Sequence, residues 1–451
     1  MACQAVTRTK EVNDGGLTGS STEPDRMAEM KFLLYSQCGE GAQVLKRIEL
    51  EGNDCALFIK DKLYKTVFNG LLEKTDSPDS FIDKDTIILF DMSGNGAVAD
   101  SYKRKGHFVY GASAFADDLE HDRQFGFDAM KTAGIMIPEH KEFKSFEEGI
   151  NYVRETNERL VFKPNGTMPC KLTYCSSSPE ELISYMKFVE KRFGKEIKSF
   201  ILQEFVEGIV VSSEAFCQGD KGFLYPFNHT VEVKKSMNDE LGPSTGCSGN
   251  IVWACEEDRI ITEGIQKVEE LCVKHNFIGQ IDLNCVVNES GVYGLEWTPR
   301  FGYDATPTLL TLLETDFGEF FSNLARCQAV EVPVIESFAG GIRITIPPYP
   351  VEPTPNIDPE KFSPSMGVPI QNYEEYEKEL YFYEVQLGED GLEHSGGTGV
   401  IACAMGFGED PVESLKQPKE ILDALVIPDK QYRTDLDKVL PKMIAEVEEN
   451  A

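Results

Sequence analysis

Basic side chains are scarce in this 451-residue chain: 44 Lys and Arg stand against 76 Asp and Glu, a formal charge of −32 at pH 7. A nonspecific grip on DNA, RNA or an anionic membrane needs a surplus of cations to release counterions, so no nucleic-acid and no membrane partner is expected. Histidine is also sparse, with six residues and no HExxH or HxH pattern, which argues against a histidine-rich zinc site. The 12 cysteines form no CxxC pair. They sit in apolar runs such as Asp54-Cys55-Ala56-Leu57 and Glu270-Leu271-Cys272-Val273, as small buried hydrophobes of a reducing compartment. No run approaches the roughly 18 apolar residues of a membrane helix, and no secretory apolar core opens the chain. A soluble, cytoplasmic protein is expected.

With 41% hydrophobic and 10% aromatic residues the chain can bury large cores, and at roughly 100–200 residues per domain it should divide into two to four. Residues 1–29 are polar and lack apolar periodicity, as in a flexible tail, a mis-start upstream of Met27 or Met30, or a cloning remnant. Apolar runs at 31–36, 55–59 and 86–90, with a helical pattern at 42–51 between the first two, read as a β-α-β-like alternation. Glycines follow the first and third runs, which places a ligand crevice at the strand ends. Gly39-Glu40-Gly41 is either a phosphate-cradling loop or a tight turn. Amphipathic helices are expected at 145–154 and 179–193, the second started by Pro179 behind a serine run, and strands at 160–163, 200–205 and 278–287. Past 331, proline-rich turns separate short strands at 380–387 and 399–405, and helices at 412–425 and 435–448 close the chain.

Three local patterns carry chemistry. Lys163 ends a strand and Lys171 follows across a glycine-containing flap, which is either a pair of ammonium groups around a polyphosphate or two solvated lysines. Phe200–Gly208 is a buried strand breaking into a polar turn, the kind of exposed backbone that can frame a purine. In the hairpin 279–302, pairing about Asn288-Glu289-Ser290-Gly291 puts Asp282 almost opposite Glu296, with Cβ atoms roughly 4.5–5.5 Å apart. Two like charges so placed among Ile281, Leu283, Leu295 and Trp297 call for a compensating cation, and hard ions such as Mg²⁺ bridging ATP phosphates fit. Arg300 follows on the face of Glu296 and Thr298, where a guanidinium can neutralise a transferring phosphoryl group.

Lys163…Lys171, Gln203-Glu204-Phe205-Val206-Glu207-Gly208, Gly242-Pro243-Ser244-Thr245-Gly246-Cys247-Ser248-Gly249 and Leu295-Glu296-Trp297-Thr298-Pro299-Arg300-Phe301-Gly302 occur in the order and spacing of the ATP-grasp ligases. Within them the chain most resembles glycinamide ribonucleotide synthetase, from about Lys31 to about Lys438. The resemblance implies an α/β (α+β) ATP-grasp fold: an N-terminal Rossmann-like domain over 30–111, the ATP-grasp domain over 112–330 and a small β-rich α+β domain over 331–451. It implies ATP and Mg²⁺ (or Mn²⁺) as cofactors, small-molecule amine and amino-acid partners, and a monomer or homodimer.

By that resemblance Arg123, Lys163 and Lys171 hold ATP phosphates, Glu204, Phe205 and Glu207 frame the adenine end, and Glu214 replaces a ribose-binding acid missing at Ile209-Val210. Asp282, Glu296 and Thr298 bind the metal, Thr298 standing where the family has Asn. Arg300 and Lys171 act on the transferred phosphoryl group. Gly39, Gly41, Ser244, Thr245, Gly246, Gly249 and Asp304 contact the other substrates. The implied reaction is transfer of the ATP γ-phosphoryl group to a carboxylate, then attack of an amine on the acyl phosphate. Three readings follow: ligation of glycine to phosphoribosylamine, ligation of another carboxylate to another amine, or a catalytically silent ATP-binding regulator. Changes at Tyr303-Asp304-Ala305 and in Phe227–Glu240 bear on the first, and retention of Lys163, Lys171, Glu296 and Arg300 argues against the last.

Overall fold

The computed structural model describes residues 29–165, 172–351 and 364–451. The expected flap lysine Lys171 lies outside the described residues, as does nearly all of the 1–29 segment.

The first apolar run forms the strand Lys31–Ser36, which pairs in parallel with Asp54–Ile59 on one side and Ile87–Phe90 on the other; Phe108–Tyr110 completes a four-stranded parallel sheet. A central parallel strand is covered on both faces, and Phe32 to Leu34 are accordingly buried without alternation. Past its C-terminal end, Gly39 turns the chain at φ +93, in the left-handed region that glycine occupies without strain. The helix Ala42–Leu50 follows.

Residues 140–204 form a second, antiparallel sheet in the order His140–Phe143, Phe200–Glu204, Leu160–Pro164, Tyr174–Cys175. The helices Phe146–Thr156 and Pro179–Phe193 bury Phe146, Val153, Leu182 and Met186 with Phe162 and Phe200. The serine run acts as expected: Ser178 Oγ accepts the Glu181 N–H (3.2 Å) and Pro179 opens the helix.

The large sheet has eight strands, in the order Gly291–Thr298, Ile278–Asn288, Ile209–Gln218, Phe227–Lys235, Ser244–Cys255, Phe338–Thr345, Val400–Gly408 and Leu380–Phe382. Its last three strands come from the region beyond 331. Phe338–Thr345 hydrogen-bonds directly to Ser244–Cys255, so no break in the sheet marks the boundary that the proline-rich turns suggested. The helix Leu436–Asn450 packs back on the strands at 209–288. Among the described residues no helix is long and apolar enough to cross a membrane.

Candidate functional site

The hairpin Ile278–Asn288/Gly291–Thr298 sits at one edge of the large sheet, and its register decides what faces the cleft. Counting back from the turn alone would put Asp282 opposite Trp297 and turn Glu296 to the other face. A bulge intervenes: Cys285 pairs with Gly294 but Asn284 pairs with Glu296, leaving Leu295 as the extra residue. Asp282 therefore stands opposite Thr298, and Glu296 opposite Asn284, two residues from the expected Asp282–Glu296 pairing. All four side chains share one face. Asn284, overlooked in the sequence, donates from Nδ2 to Asp282 Oδ2 (3.0 Å) and Thr298 Oγ1 (3.3 Å).

The like-charge pair in direct opposition is a different one, Asp282 with Glu214 on the neighbouring strand. Both are nearly inaccessible, and burial followed by mutual repulsion raises the Asp282 carboxyl well above the usual range. Burial likewise raises Glu214, whose oxygens accept from Thr230 Oγ1 (2.7 Å) and Gln280 Nε2 (2.5 Å). The expected role of Glu214 as a ribose contact is thus corrected: it stands beside Asp282 on the same sheet face, inaccessible and with both oxygens engaged. Asp282 Oδ1 is buried and has no hydrogen-bond partner among the described residues. An orphaned carboxylate oxygen beside other oxygen donors suits a hard dication, and Asp282, Glu296, Thr298 and Asn284 are the residues that could hold one.

Cations converge on Glu296. Glu296 itself is exposed to the cleft; desolvation by its surroundings would raise the carboxyl, but Lys234, Lys163, Arg123 and Arg300 together hold it below the ordinary value. Lys163 is buried at the end of its strand, and desolvation lowers its ammonium to about 8 despite Glu296. Arg123 opens the helix Arg123–Ala133 and donates to the Pro164 carbonyl (3.3 Å), beside Lys163. Lys234, also missed, shares a strand face with Glu232 and lies 3.8 Å from its carboxylate; the only signal for it was the basic pair in Phe227–Glu240. Arg300 lies just past the strand and forks onto Glu120 while also donating to the Phe301 carbonyl (2.8 Å).

The segment Phe205–Gly208 joins the two antiparallel sheets, with Glu204 and Glu207 exposed. The Phe205 N–H already donates to the Arg159 carbonyl (3.3 Å), and the Arg159 guanidinium lies 3.4 Å from the Phe205 ring centroid. The donor expected to read a purine edge is therefore engaged.

Of the expected substrate contacts, Ser244, Thr245 and Gly246 lie at the open end of their strand, with Thr245 Oγ1 donating to the Lys234 carbonyl (2.8 Å). Two others are corrected. A Cβ on Gly249 would meet Leu436 at 2.3 Å, so this glycine admits the C-terminal helix rather than a ligand. Asp304 is fully buried, ion-paired to Arg343 (2.8 Å) and accepting from the Tyr383 hydroxyl (2.5 Å), so it braces the wall behind the site.

Gly39 borders a cavity of about 60 Å³ that Glu40, Tyr64, Tyr303, Tyr383 and Glu384 also line. Behind it Asp91 Oδ2 accepts from Ser36 Oγ and the Gly41 N–H, both 2.7 Å, and a Cβ on Gly41 would meet the Asp91 Cβ at 2.9 Å. Gly41 is thus fixed by the closeness of Asp91. Burial raises Glu40 to about 7 and Asp91 to about 6.

Residues 121–306 match the family model described as phosphoribosylglycinamide synthetase, ATP-grasp (A) domain. The chain has the ATP-grasp fold and is similar to phosphoribosylamine–glycine ligase. The ATP-grasp chain is 24% identical over 389 residues to the phosphoribosylamine–glycine ligase of Clostridium acetobutylicum, covering 82% of this chain and 89% of that one. It is 25% identical over 344 residues to the Leptospira interrogans protein of the same name, covering 73% and 77%. Its fold matches the crystal structure of phosphoribosylamine–glycine ligase from Thermotoga maritima with a TM-score of 0.69 at 21% identity, over 90% of this chain and 100% of that one. A biotin carboxylase complex from Campylobacter jejuni shares the ATP-grasp architecture at a TM-score of 0.60 and 12% identity, over 95% and 98%.

Proposed function

We propose that this protein is an ATP-dependent carboxylate–amine ligase that joins glycine to phosphoribosylamine through an acyl phosphate, giving glycinamide ribonucleotide, ADP and phosphate. The observation that carries the reading is the bulged hairpin face: Asp282, Asn284, Glu296 and Thr298 on one side, with Lys163, Lys234, Arg123 and Arg300 drawn to Glu296. The relatives' names supply the substrates.

Lys163 and Arg123 neutralise ATP phosphates, and the resemblance gives Lys171 the same role. Asp282 and Glu296, with the oxygens of Asn284 and Thr298, hold Mg²⁺ or Mn²⁺, which when bound offsets phosphate charge and orients the γ-phosphoryl group. Arg300, aimed by Glu120, stabilises the charge that develops on the transferring group. Lys234 keeps Glu296 ionised, and Ser244 to Gly246 border the acceptor carboxylate. Glu204, Phe205 and Glu207 form the nucleoside end of the cleft.

A second reading draws on the cavity beside the Gly39 loop, which among the described residues is lined by Glu40 and Glu384 and by no basic side chain. That lining favours a cationic amine over a phosphate ester as the acceptor. Incubating the protein with ATP, Mg²⁺, glycine and fresh phosphoribosylamine tests the first reading, with glycinamide ribonucleotide and ADP expected in equal amounts. ADP release only with unphosphorylated amines would replace it by the second, and no ATP turnover with any acid–amine pair would remove both.

A further inference from the structure

A second constellation lies away from the cleft, on the same large sheet. His229 is five residues before Lys234 on its strand, roughly 16 Å along it. Cys255 ends the adjacent strand, whose register pairs Phe227 with Cys255 and His229 with Trp253. Asp258 follows at the start of a short helix, with Oδ1 accepting the Ile261 N–H (2.8 Å). One nitrogen, one sulfur and one carboxylate oxygen thus come within 4.8 Å of one another. His229 Nε2 lies 2.8 Å and Cys255 Sγ 3.6 Å from the same Asp258 Oδ2.

We propose that His229, Cys255 and Asp258 form a binding site for a borderline-soft divalent cation of the zinc type. Donors around tetrahedral zinc stand roughly 3.3–3.8 Å apart, given bonds of about 2.0–2.3 Å, so the trio needs only a small opening to admit the ion. The donor set is mixed N, S and O, which suits zinc and not the hard ion of the nucleotide site. The imidazole is 1% exposed and held edge-on by Trp253, with ring centroids 5.5 Å apart, so little ordering remains to be done. Its Nδ1 has no partner among the described residues. Burial and the neighbouring Asp258 push the Cys255 thiol up to about 12, so the empty trio is no nucleophile. On binding, the thiol proton leaves to solvent, the imidazole hydrogen moves to Nδ1, and Nε2, the thiolate and the carboxylate coordinate. A water fills the fourth position.

The test uses the full chain, stripped with chelator and held in excess Mg²⁺ so that the carboxylate face is occupied, and titrated with Co²⁺ and then Zn²⁺. A thiolate-to-cobalt charge-transfer band saturating at one equivalent and bleached by Zn²⁺ is expected. Cys255→Ser should abolish the band, His229→Gln should weaken binding at least about 10-fold, and Cys175→Ser, at an exposed thiol, should change nothing. Zn²⁺ should also release about one proton per equivalent bound by the wild-type chain, a readout that does not depend on a variant folding. Absence of the band, its survival in a folded Cys255→Ser variant, or binding without proton release overturns the proposal.

Discussion

Glu120 and Arg300 lie 180 positions apart and meet in a fork, with Nε at 3.1 Å and Nη2 at 3.0 Å from the same carboxylate oxygen. The guanidinium's remaining Nη1 is taken by the Phe301 carbonyl, so its plane is fixed before any nucleotide arrives. Glu120→Ala should lower kcat by about 100-fold with a smaller change in the KM for ATP, because the misaimed group acts on developing charge. Steady-state ADP release, with circular dichroism to confirm the fold, checks this.

Asp282→Asn separates stability from activity. Its raised carboxyl means that the folded state resists ionisation, so above the unfolded pKa the wild-type residue opposes folding. Replacement should stabilise the metal-free protein at pH 7 by about 1–2 kcal/mol while removing turnover. Denaturant melts in chelator, set beside activity assays, give both numbers.

The same linkage applies to Glu40, raised to about 7 from 4.5. Between roughly pH 4.5 and 7 the unfolded chain loses this proton and the folded chain keeps it, so stability falls as pH rises through that window. Glu40→Gln should therefore raise Tm at pH 8 and leave it unchanged at pH 4. Equal effects at both pH values would contradict the burial argument.

Lys163, lowered to about 8, predicts an alkaline limb. Its ammonium is present below that pH and is lost above it, so kcat/KM for ATP should fall as pH passes 8. Lys163→Arg, which stays charged, should move that limb upward even if its maximum is lower. Initial rates from pH 6 to 10 decide the point.

Asp304→Ala should act on the fold and not on substrate affinity. It strands the buried Arg343 guanidinium, at a cost of about 3–5 kcal/mol. Urea melts of the variant would show the loss, and any soluble fraction should keep its KM values.

The sequence exposed what depends on local pattern. The helix at 179–193 matched end to end because a capping serine, a proline and an apolar stripe act on the same few residues. Lys163, Glu296 and Arg300 stand out in the sequence by spacing and by the resemblance, and the fold brings their charges to one cleft. Asn284 was not, because its place opposite Glu296 depends on a bulge at Leu295 that periodicity does not announce. Lys234 escapes local pattern too, because its place beside Glu232 and Glu296 depends on how the strand pairs. Glu214 and Asp304 invite the opposite error: an acid near a motif reads as a ligand contact, and only packing shows that Thr230, Gln280 and Arg343 already occupy it. Residues 331–451 looked separate because prolines interrupt the chain, whereas strand pairing is blind to sequence distance.

That continuity has a consequence for how the protein comes into being. The Tyr381 hydroxyl donates to the Glu40 carbonyl, and that of Tyr383 to Tyr303 and Asp304, so the pocket at the first loop is walled by residues near the end of the chain. Contacts spanning 341 positions form slowly, since a long loop must close before they reward it. A ribosome-bound chain that has emerged only through the hairpin holds the hairpin's carboxylates but lacks that wall. Competence arrives with the last quarter of synthesis.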